Sequence, residues 1–118
     1  MSWDCCLCDP VTDKPIMLDT PHEMRGGMYQ IGGSKELYLN VTYNYGKIIR
    51  KVMNGKALDC LDGMTALESI PLLELAISKL DNEVDSDYWT ATEGNVKRSL
   101  IQLLTLAKMR PDGIWRIY

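Results

Sequence analysis

The sequence contains no phenylalanine, so all of its aromatic residues, six tyrosines and three tryptophans, carry a polar atom on the ring. It has no apolar run near the ~18 residues that span a bilayer. Its start, Met1 to Asp4, has neither the basic nor the apolar segment of a signal peptide. These absences predict a cytoplasmic protein without a membrane segment. They also predict aromatic rings that lie half-buried with their polar atoms available for bonding.

An excess of positive charge is also absent. Thirteen lysines and arginines stand against sixteen aspartates and glutamates, for a net charge of -3. Proteins that bind nucleic acid directly usually present a basic face, so this composition disfavours direct nucleic-acid binding. The phosphate-loop, nucleophile-elbow and zinc-protease motifs are missing as well. The sequence therefore predicts no catalytic residue and no cofactor.

The cysteines are unevenly placed along the chain. Cys5, Cys6 and Cys8 lie in one short segment, and Cys60 is far from them. Zinc sites usually combine two separated pairs of ligands. This chain has no second pair, and its one histidine is His22. We therefore expect reduced, partly buried thiols in a strand and no metal site.

Alternation of apolar and polar residues predicts strands in the first half of the chain. The segment from Trp3 to Cys8 alternates, Ile16–Leu18 fits a short returning strand, and Leu37–Tyr43 has the clearest pattern. We also expect a loop at Thr20–Glu23 and a short strand at Met28–Ile31, which lies between two glycine pairs.

Apolar residues at helical spacing predict helices after this point. The first covers Tyr45–Met53 and ends at an Asn-Gly pair. Thr65–Glu68 has the form of a capping box. Because proline breaks a helix interior, we expect the main helix to begin near Ser69, with Pro71 in its first turn. A last helix begins at Thr92.

These elements predict an α+β fold in a single domain that covers residues 1–118. A small, mostly antiparallel N-terminal sheet is expected to carry two to three C-terminal helices on one face. The tail around Trp115 and Ile117 is expected to pack on the domain or to pair as an edge strand.

One candidate binding segment is the loop His22–Gly27, which joins a titratable ring, a permanent cation and a flexible backbone. Arg25 and exposed backbone N–H groups suit a phosphate or a carboxylate. The alternative is an ordinary turn whose charges face water.

A second candidate is the polar face of the strand near residue 40, formed by Tyr38, Asn40, Thr42 and Asn44. Amides and hydroxyls offer both donors and acceptors to a small polar ligand. Asparagine is disfavoured in strands, so its repetition indicates a local cause. That cause is either ligand binding or the geometry of a turn near Asn44.

The third candidate is the start of the Thr92 helix. Gly94 in its first turn permits close approach to free N–H groups that favour an anion, although Glu93 opposes one. Asn95, Arg98 and the preceding Trp89 complete this candidate. The alternative is a well-capped helix with Trp89 packed at its entrance.

Five segments carry a resemblance to a known group of proteins: Leu39–Tyr45, Glu68–Pro71, Asp87–Asn95, Lys108–Gly113 and His22–Gly27. On these segments the chain resembles an uncharacterised family of small proteins encoded by bacteriophages and prophages, from about Asp4 to Trp115. The resemblance implies a phage or prophage origin. The chain departs from the family pattern at its N-terminal cysteines, which are usually few in the family. This departure weakens any metal role for these cysteines.

Small phage accessory proteins are often binders rather than enzymes, and this analogy suggests the same here. We expect a protein that antagonises a host defence system by binding a host protein or by sequestering a nucleotide-like signal. One alternative is an assembly protein that acts through self-association as a homo-oligomer. Another is a small enzyme that uses His22 or Glu93. The small-ligand hypothesis requires one pocket lined by Asn40, Thr42, Asn44, Glu93, Asn95 and Arg98.

Overall fold

A computed structural model describes residues 1–118 and confirms the α+β class. A three-stranded antiparallel sheet has the order β4-β1-β5, and β2 and β3 form a separate antiparallel pair. Two short 3₁₀ turns cover Tyr43–Tyr45 and Leu58–Leu61. The strands are β1 Ser2–Cys8, β2 Met17–His22, β3 Ser34–Glu36, β4 Tyr38–Thr42 and β5 Ile114–Ile117, and the helices are α1 Gly46–Val52, α2 Ala66–Ser78 and α3 Glu93–Met109.

Strand β1 is the centre of the sheet and pairs with β4 on one side and with β5 on the other. Trp3, Cys5 and Leu7 point into the core, where Leu39 of β4 lies opposite Cys5 and Trp115 of β5 lies opposite Leu7. The predicted tail is therefore an edge strand of the same sheet, and the sheet joins the two ends of the chain.

The cysteine thiols of β1 are buried and free, in the strand where the sequence places them. Burial raises the pKa of Cys6 to about 12 and raises the pKa of Cys5 further. The protonated thiol is a weak nucleophile and a poor metal ligand. No group of three His, Cys, Asp or Glu side chains is close enough to hold a metal ion.

Helix α1 agrees with the predicted helix, and Asn54 and Gly55 end it at φ of 54° and 82°. The start of α2 was predicted wrongly. The helix begins at Ala66, with Thr65 as its N-cap and a complete capping box to Glu68, so Pro71 is inside the helix. The missing N–H of Pro71 leaves the Leu67 carbonyl without its helical donor, on the exposed side of the helix.

Tertiary contacts explain the early start of α2. The first N–H groups of the helix donate to carbonyls near the C-terminus: Ala66 to Gly113 and Leu67 to Pro111. Ser69 accepts a hydrogen bond at 2.8 Å from the indole N–H of the buried Trp115. These partners are 40 or more residues away along the chain, and residue spacing around Pro71 cannot reveal them.

Two predictions about the segment 20–31 were also wrong. Thr20 and His22 belong to β2, which pairs with β3 through an irregular register, so this proline-containing segment is a strand rather than a loop. Met28–Ile31 is not a strand but part of the loop that joins β2 to β3. Gly32 and Gly33 end that loop at φ of 86° and 90°, and the second glycine pair therefore makes a turn.

Helix α3 begins after Thr92 as predicted and packs against α2. Its core face consists of fully buried apolar residues: Val96, Leu100, Leu103, Leu106 and Ala107. No helix combines the length and the apolar character that crossing a membrane requires. The opposite, partly exposed face of α3 carries Arg98 and Gln102, which shape the candidate site.

Candidate functional site

Two neighbouring cavities adjoin the β2–β3 loop: one lies between the loop and strands β2 to β4, and the other lies between the loop and α3. The His22 cavity, about 250 Å³, is lined by residues that include His22, Arg25, Tyr29 and Tyr38. The Arg98 cleft, about 450 Å³, is lined by residues that include Arg25, Tyr29, Asn95 and Arg98. Because Arg25 and Tyr29 line both cavities, a ligand that passes Arg25 is able to contact both of them.

Gln102 of α3 positions Arg25. The backbone N–H of Arg25 donates to the Gln102 Oε1 at 2.8 Å, and the Gln102 Nε2 donates to the Arg25 carbonyl at 3.0 Å. Arg98 precedes Gln102 by one helical turn, so both residues lie on the same side of α3. The double hydrogen bond therefore sets Arg25 beside Arg98. A glutamine on a helix has no feature in the sequence that marks this role.

Both guanidinium groups of the Arg98 cleft are free of hydrogen-bond and ion-pair partners within the protein. Neither Arg25 nor Arg98 forms an ion pair or a side-chain hydrogen bond in the structure. The Arg25 guanidinium lies 4.3 Å from the centre of the Tyr29 ring, a cation–π contact. Glu23 is the one acidic residue of the lining, so two positive charges and one negative charge leave a net charge of +1. Paired guanidinium groups in a cleft bind phosphate and carboxylate oxygens.

His22 is occupied by structural hydrogen bonds. Its Nδ1 accepts from the Met24 N–H at 3.3 Å, so its Nε2 carries the proton and donates to the Glu36 carbonyl. The ring is also buried. His22 therefore holds the β2–β3 pair together, and neither ring nitrogen is free for proton transfer or for a ligand.

The polar strand face is an internal network in the structure. The Tyr38 hydroxyl donates to the Asp4 carboxylate, and the Asn40 amide donates to Ser2 Oγ at 2.7 Å and to Asp4 Oδ1 at 3.0 Å. Asn40 is 1% exposed, and burial raises the pKa of Tyr38. These groups fasten β1 to β4, which accounts for the costly asparagine without a ligand.

The free edge of β4 is covered by a loop and by a tyrosine. The Gly27 N–H donates to the Asn40 carbonyl at 3.2 Å, and a Cβ on Gly26 would collide with the same carbonyl. The Tyr88 hydroxyl accepts from the Thr42 N–H at 3.1 Å and donates to the Asn40 carbonyl at 3.3 Å. The first glycine pair thus permits the loop to approach the sheet edge, and it protects the edge from pairing with another chain.

The N-terminus of α3 is occupied by the acidic segment 81–87. The Gly94 N–H donates to the Glu83 carbonyl at 2.7 Å, and a Cβ on Gly94 would collide with this carbonyl. Glu93 accepts from the Asp81 N–H at 3.1 Å and lies 3.6 Å from the Lys51 ammonium group. Close approach at Gly94 is therefore made by the protein backbone, and the Glu93 carboxylate binds the same segment.

Asparagine side chains fasten the rest of that segment. The Asn95 Oδ1 accepts from the Asp85 N–H at 3.1 Å, and its Nδ2 donates to the Asp87 and Thr90 carbonyls. The Asn44 Nδ2 donates to the Trp89 carbonyl at 3.0 Å. These bonds use both polar atoms of the Asn95 amide and the Nδ2 of Asn44, and they hold an irregular stretch without helix or strand.

The predicted site residues therefore do not form one pocket. Of the six that the small-ligand hypothesis requires, Asn95 and Arg98 line the Arg98 cleft, whereas Asn40, Thr42, Asn44 and Glu93 line neither cavity, and nor does Trp89. A ligand site built on the strand face is thus not supported. The structure brings together a different set, in which Arg25 and Arg98 are the groups with unused hydrogen-bonding capacity.

Fold and site together define a small α+β protein with a basic cleft between a loop and a helix. Comparison of the chain with protein-family models, with curated proteins and with solved structures gives no significant match. A functional assignment therefore depends on the chemistry of the cleft and of the exposed surface.

Proposed function

We propose that this chain is a phage or prophage accessory protein that binds a nucleotide-like anion in the Arg98 cleft and withholds it from a host defence system. The observation that carries the proposal is the meeting of Arg25 and Arg98 in one cleft, with both guanidinium groups unpaired. Two like charges that form no ion pair, with only Glu23 as an opposing charge in the lining, favour an anion between them.

The two cavities suit the two parts of a nucleotide. The phosphate is expected between Arg25 and Arg98, near the hydroxyl of Ser99. The nucleoside is expected in the His22 cavity, where Tyr29 offers a stacking surface and Glu36 accepts hydrogen bonds from amino or hydroxyl groups. The Arg98 cleft, at about 450 Å³, is within the range of roughly 300–1,000 Å³ for small-molecule sites, and the adjoining His22 cavity adds about 250 Å³.

The arrangement supports binding rather than catalysis. Both ring nitrogens of His22 have structural partners, and Glu93 is bound to the acidic segment and to Lys51. A general acid or base needs a free site within hydrogen-bond distance of the reacting atom. Neither of the two residues considered for an enzyme offers one, so sequestration is the activity that we propose.

Titration calorimetry tests the proposal directly. Inorganic phosphate, nucleoside monophosphates and cyclic nucleotides are titrated into the purified protein, into Arg98→Ala and into Arg50→Ala. Arg50 is an exposed arginine of α1 that lines neither cavity and controls for the loss of one charge. We expect binding that Arg98→Ala weakens at least tenfold, because charge-assisted hydrogen bonds are worth about 1.5–3 kcal/mol each. Absence of binding at micromolar protein, or equal losses in both variants, would refute it.

The exposed tip of the β2–β3 loop favours a host protein as a second candidate partner. Ile31 is 98% exposed and Met28 is 63% exposed, next to the half-exposed Tyr29. Aromatic residues and methionine are enriched in protein interfaces. If the partner is a host protein, we expect Ile31→Asp to prevent its capture and Arg98→Ala to leave its capture unchanged. Val11→Asp, a substitution at a similarly exposed residue of another loop, is the control.

A further inference from the structure

Helix α2 is apolar on the side that faces solvent as well as on the side that faces the core. Ala66, Leu73 and Ala76 are fully buried, as an amphipathic helix requires. Leu72 is nevertheless 42% exposed and Leu75 is 53% exposed. A helix that is apolar on both sides is typical of one that packs on both sides.

The exposed leucines belong to a regular stripe. Glu68, Leu72, Leu75 and Lys79 follow one another at spacings of four, three and four residues, which is the spacing of a coiled-coil seam. A groove of about 210 Å³ runs beside Leu72 and Leu75 and is lined mainly by apolar residues, among them Met53 and Met64. The stripe and the groove form one continuous apolar surface, which we call the α2 face.

We infer that the α2 face binds a second copy of this chain through antiparallel packing of the two α2 helices. Along the chain, the stripe has an acidic residue at its start, two leucines in the middle and a basic residue at its end. A two-fold axis between Leu73 and Glu74 therefore places leucine against leucine and acidic residue against basic residue. Leu72 then lies against Leu75 of the second copy, and Glu68 lies against Lys79 of the second copy. Such a surface is complementary to itself, as a two-fold interface requires.

The charges at the two ends of the stripe are available for this contact. Lys79 forms no ion pair within the chain, and the second carboxylate oxygen of Glu68 is free of the capping box. The Thr65 N–H and hydroxyl hydrogen bonds lower the pKa of Glu68, so this group is ionised at neutral pH. Parallel packing would oppose like charges at both ends, so the charge pattern selects the antiparallel arrangement.

The contact is short, so the dimer is expected to be weak. Helix α2 has 13 residues, and two such helices bury less area than a standard interface. We expect a dissociation constant in the micromolar range and a concentration-dependent mass.

Sedimentation equilibrium on a series of charge variants tests the inference. Lys79→Glu sets a carboxylate against the Glu68 carboxylate at two places in the dimer, and Glu68→Lys likewise opposes two ammonium groups at each place. Each variant alone is expected to dimerise at least tenfold more weakly than the wild type, because each dimer contains the repulsive contact twice. In an equimolar mixture, the Lys79→Glu copy supplies two carboxylates and the Glu68→Lys copy supplies two ammonium groups, so both contacts of the mixed dimer join opposite charges. We therefore expect the mixture to dimerise more strongly than either variant alone.

The double variant gives a second, independent test of the same charge pattern. Glu68→Lys combined with Lys79→Glu in one chain exchanges the two charges and restores both attractive pairs across the two-fold axis. We expect this double variant to dimerise again, close to the wild-type strength, because each dimer once more contains two opposite-charge contacts.

Leucine variants separate the stripe from general surface apolarity. Leu75→Asp is expected to abolish the dimer. Leu67→Asp changes a more exposed leucine of the same helix that lies off the stripe, and it is expected to have little effect. Circular dichroism confirms that each variant is folded, and Lys79→Glu keeps the capping box intact. A wild-type protein that is monomeric throughout, or a dimer that Lys79→Glu leaves unchanged, would overturn the inference.

Discussion

At the scale of single residues, tyrosine hydroxyls and asparagine amides join distant segments of this protein. The Tyr45 hydroxyl donates to the Tyr88 carbonyl, and burial raises the pKa of Tyr45. The Asn40 Nδ2 donates two hydrogen bonds inside the protein, and the Asn95 amide both accepts and donates there. The tyrosine hydroxyls therefore have a structural role that phenylalanine could not fill, because they bond backbone groups that would otherwise lack partners.

Removal of the Tyr88 hydroxyl tests this view. In Tyr88→Phe, the Thr42 N–H at the β4 edge loses its acceptor at a residue that is 1% exposed. We expect the free energy of unfolding to fall by about 1–3 kcal/mol, because an unsatisfied buried donor keeps its full desolvation cost. Urea denaturation measures the change. Tyr118→Phe is the control, since Tyr118 is 73% exposed and its hydroxyl has no partner. Equal stabilities of the two variants would contradict the assignment.

At the scale of the element, local signals determine where most helices and strands lie, and contacts with other segments adjust their ends. Thr92 begins α3 through its own hydroxyl, which accepts from the Asn95 N–H. The start of α2 depends in addition on the carbonyls of Pro111 and Gly113. The Thr92 cap thus marks the start of α3 correctly in the sequence, whereas the Pro71 signal is overruled in α2.

The capping box of α2 predicts a pH-dependent contribution to stability. Hydrogen bonds from Thr65 lower the pKa of Glu68 below its ordinary value. A lowered pKa in the folded state stabilises the protein above the unfolded pKa, and this stabilisation is lost as the pH falls through the folded pKa. Wild type should therefore be more stable than Glu68→Gln at neutral pH, and the difference should shrink below about pH 4.3, the ordinary pKa of glutamate.

Urea denaturation of both proteins across this pH range makes the measurement. The glutamine variant keeps a carbonyl acceptor for the Thr65 N–H but cannot be ionised. The comparison therefore isolates the titration of Glu68 from that of the other carboxylates. A stability difference that is independent of pH would show that the charge of Glu68 does not contribute.

At the scale of the whole molecule, the candidate site exists because the β2–β3 loop is fastened to α3. Gln102 holds the backbone of Arg25 through two hydrogen bonds. Gly27 and Tyr88 fix the same loop and the neighbouring segment to the edge of β4. The position of Arg25 relative to Arg98 is therefore a property of the assembled fold.

Hydrogen exchange of the loop tests the role of Gln102 without any ligand. In Gln102→Ala we expect amide exchange at residues 23–27 to accelerate roughly 10- to 30-fold, because two hydrogen bonds of about 1 kcal/mol each no longer oppose local opening. Exchange in the core of α3 should change little. Thr105→Ala is the matched control, since the Thr105 hydroxyl bonds only its own helix at the Ile101 carbonyl. Equal exchange in both variants would contradict the role.

The sequence by itself determined the elements whose signals are local. Alternation of apolar residues located β1 and β4, and cap residues located the end of α1 and the start of α3. It also singled out Arg25 and Arg98, because cations next to glycine and helix-cap residues are visible in a single chain. These features depend on neighbours within a few residues, which the order of amino acids states directly.

Only the tertiary structure decided which polar residues have partners inside the protein. In the sequence, Asn40 and Tyr38 were predicted to form a ligand-binding face. In the structure, both donate to the Asp4 carboxylate, which lies 36 residues before Asn40 and 34 residues before Tyr38. In the sequence, Arg25 and Arg98 belong to two separate candidate sites. In the structure, Gln102 binds the backbone of Arg25 across 77 residues and so holds the loop against α3. Whether a side chain is free to bind depends on such distant contacts, and the spacing of residues along the chain does not contain them.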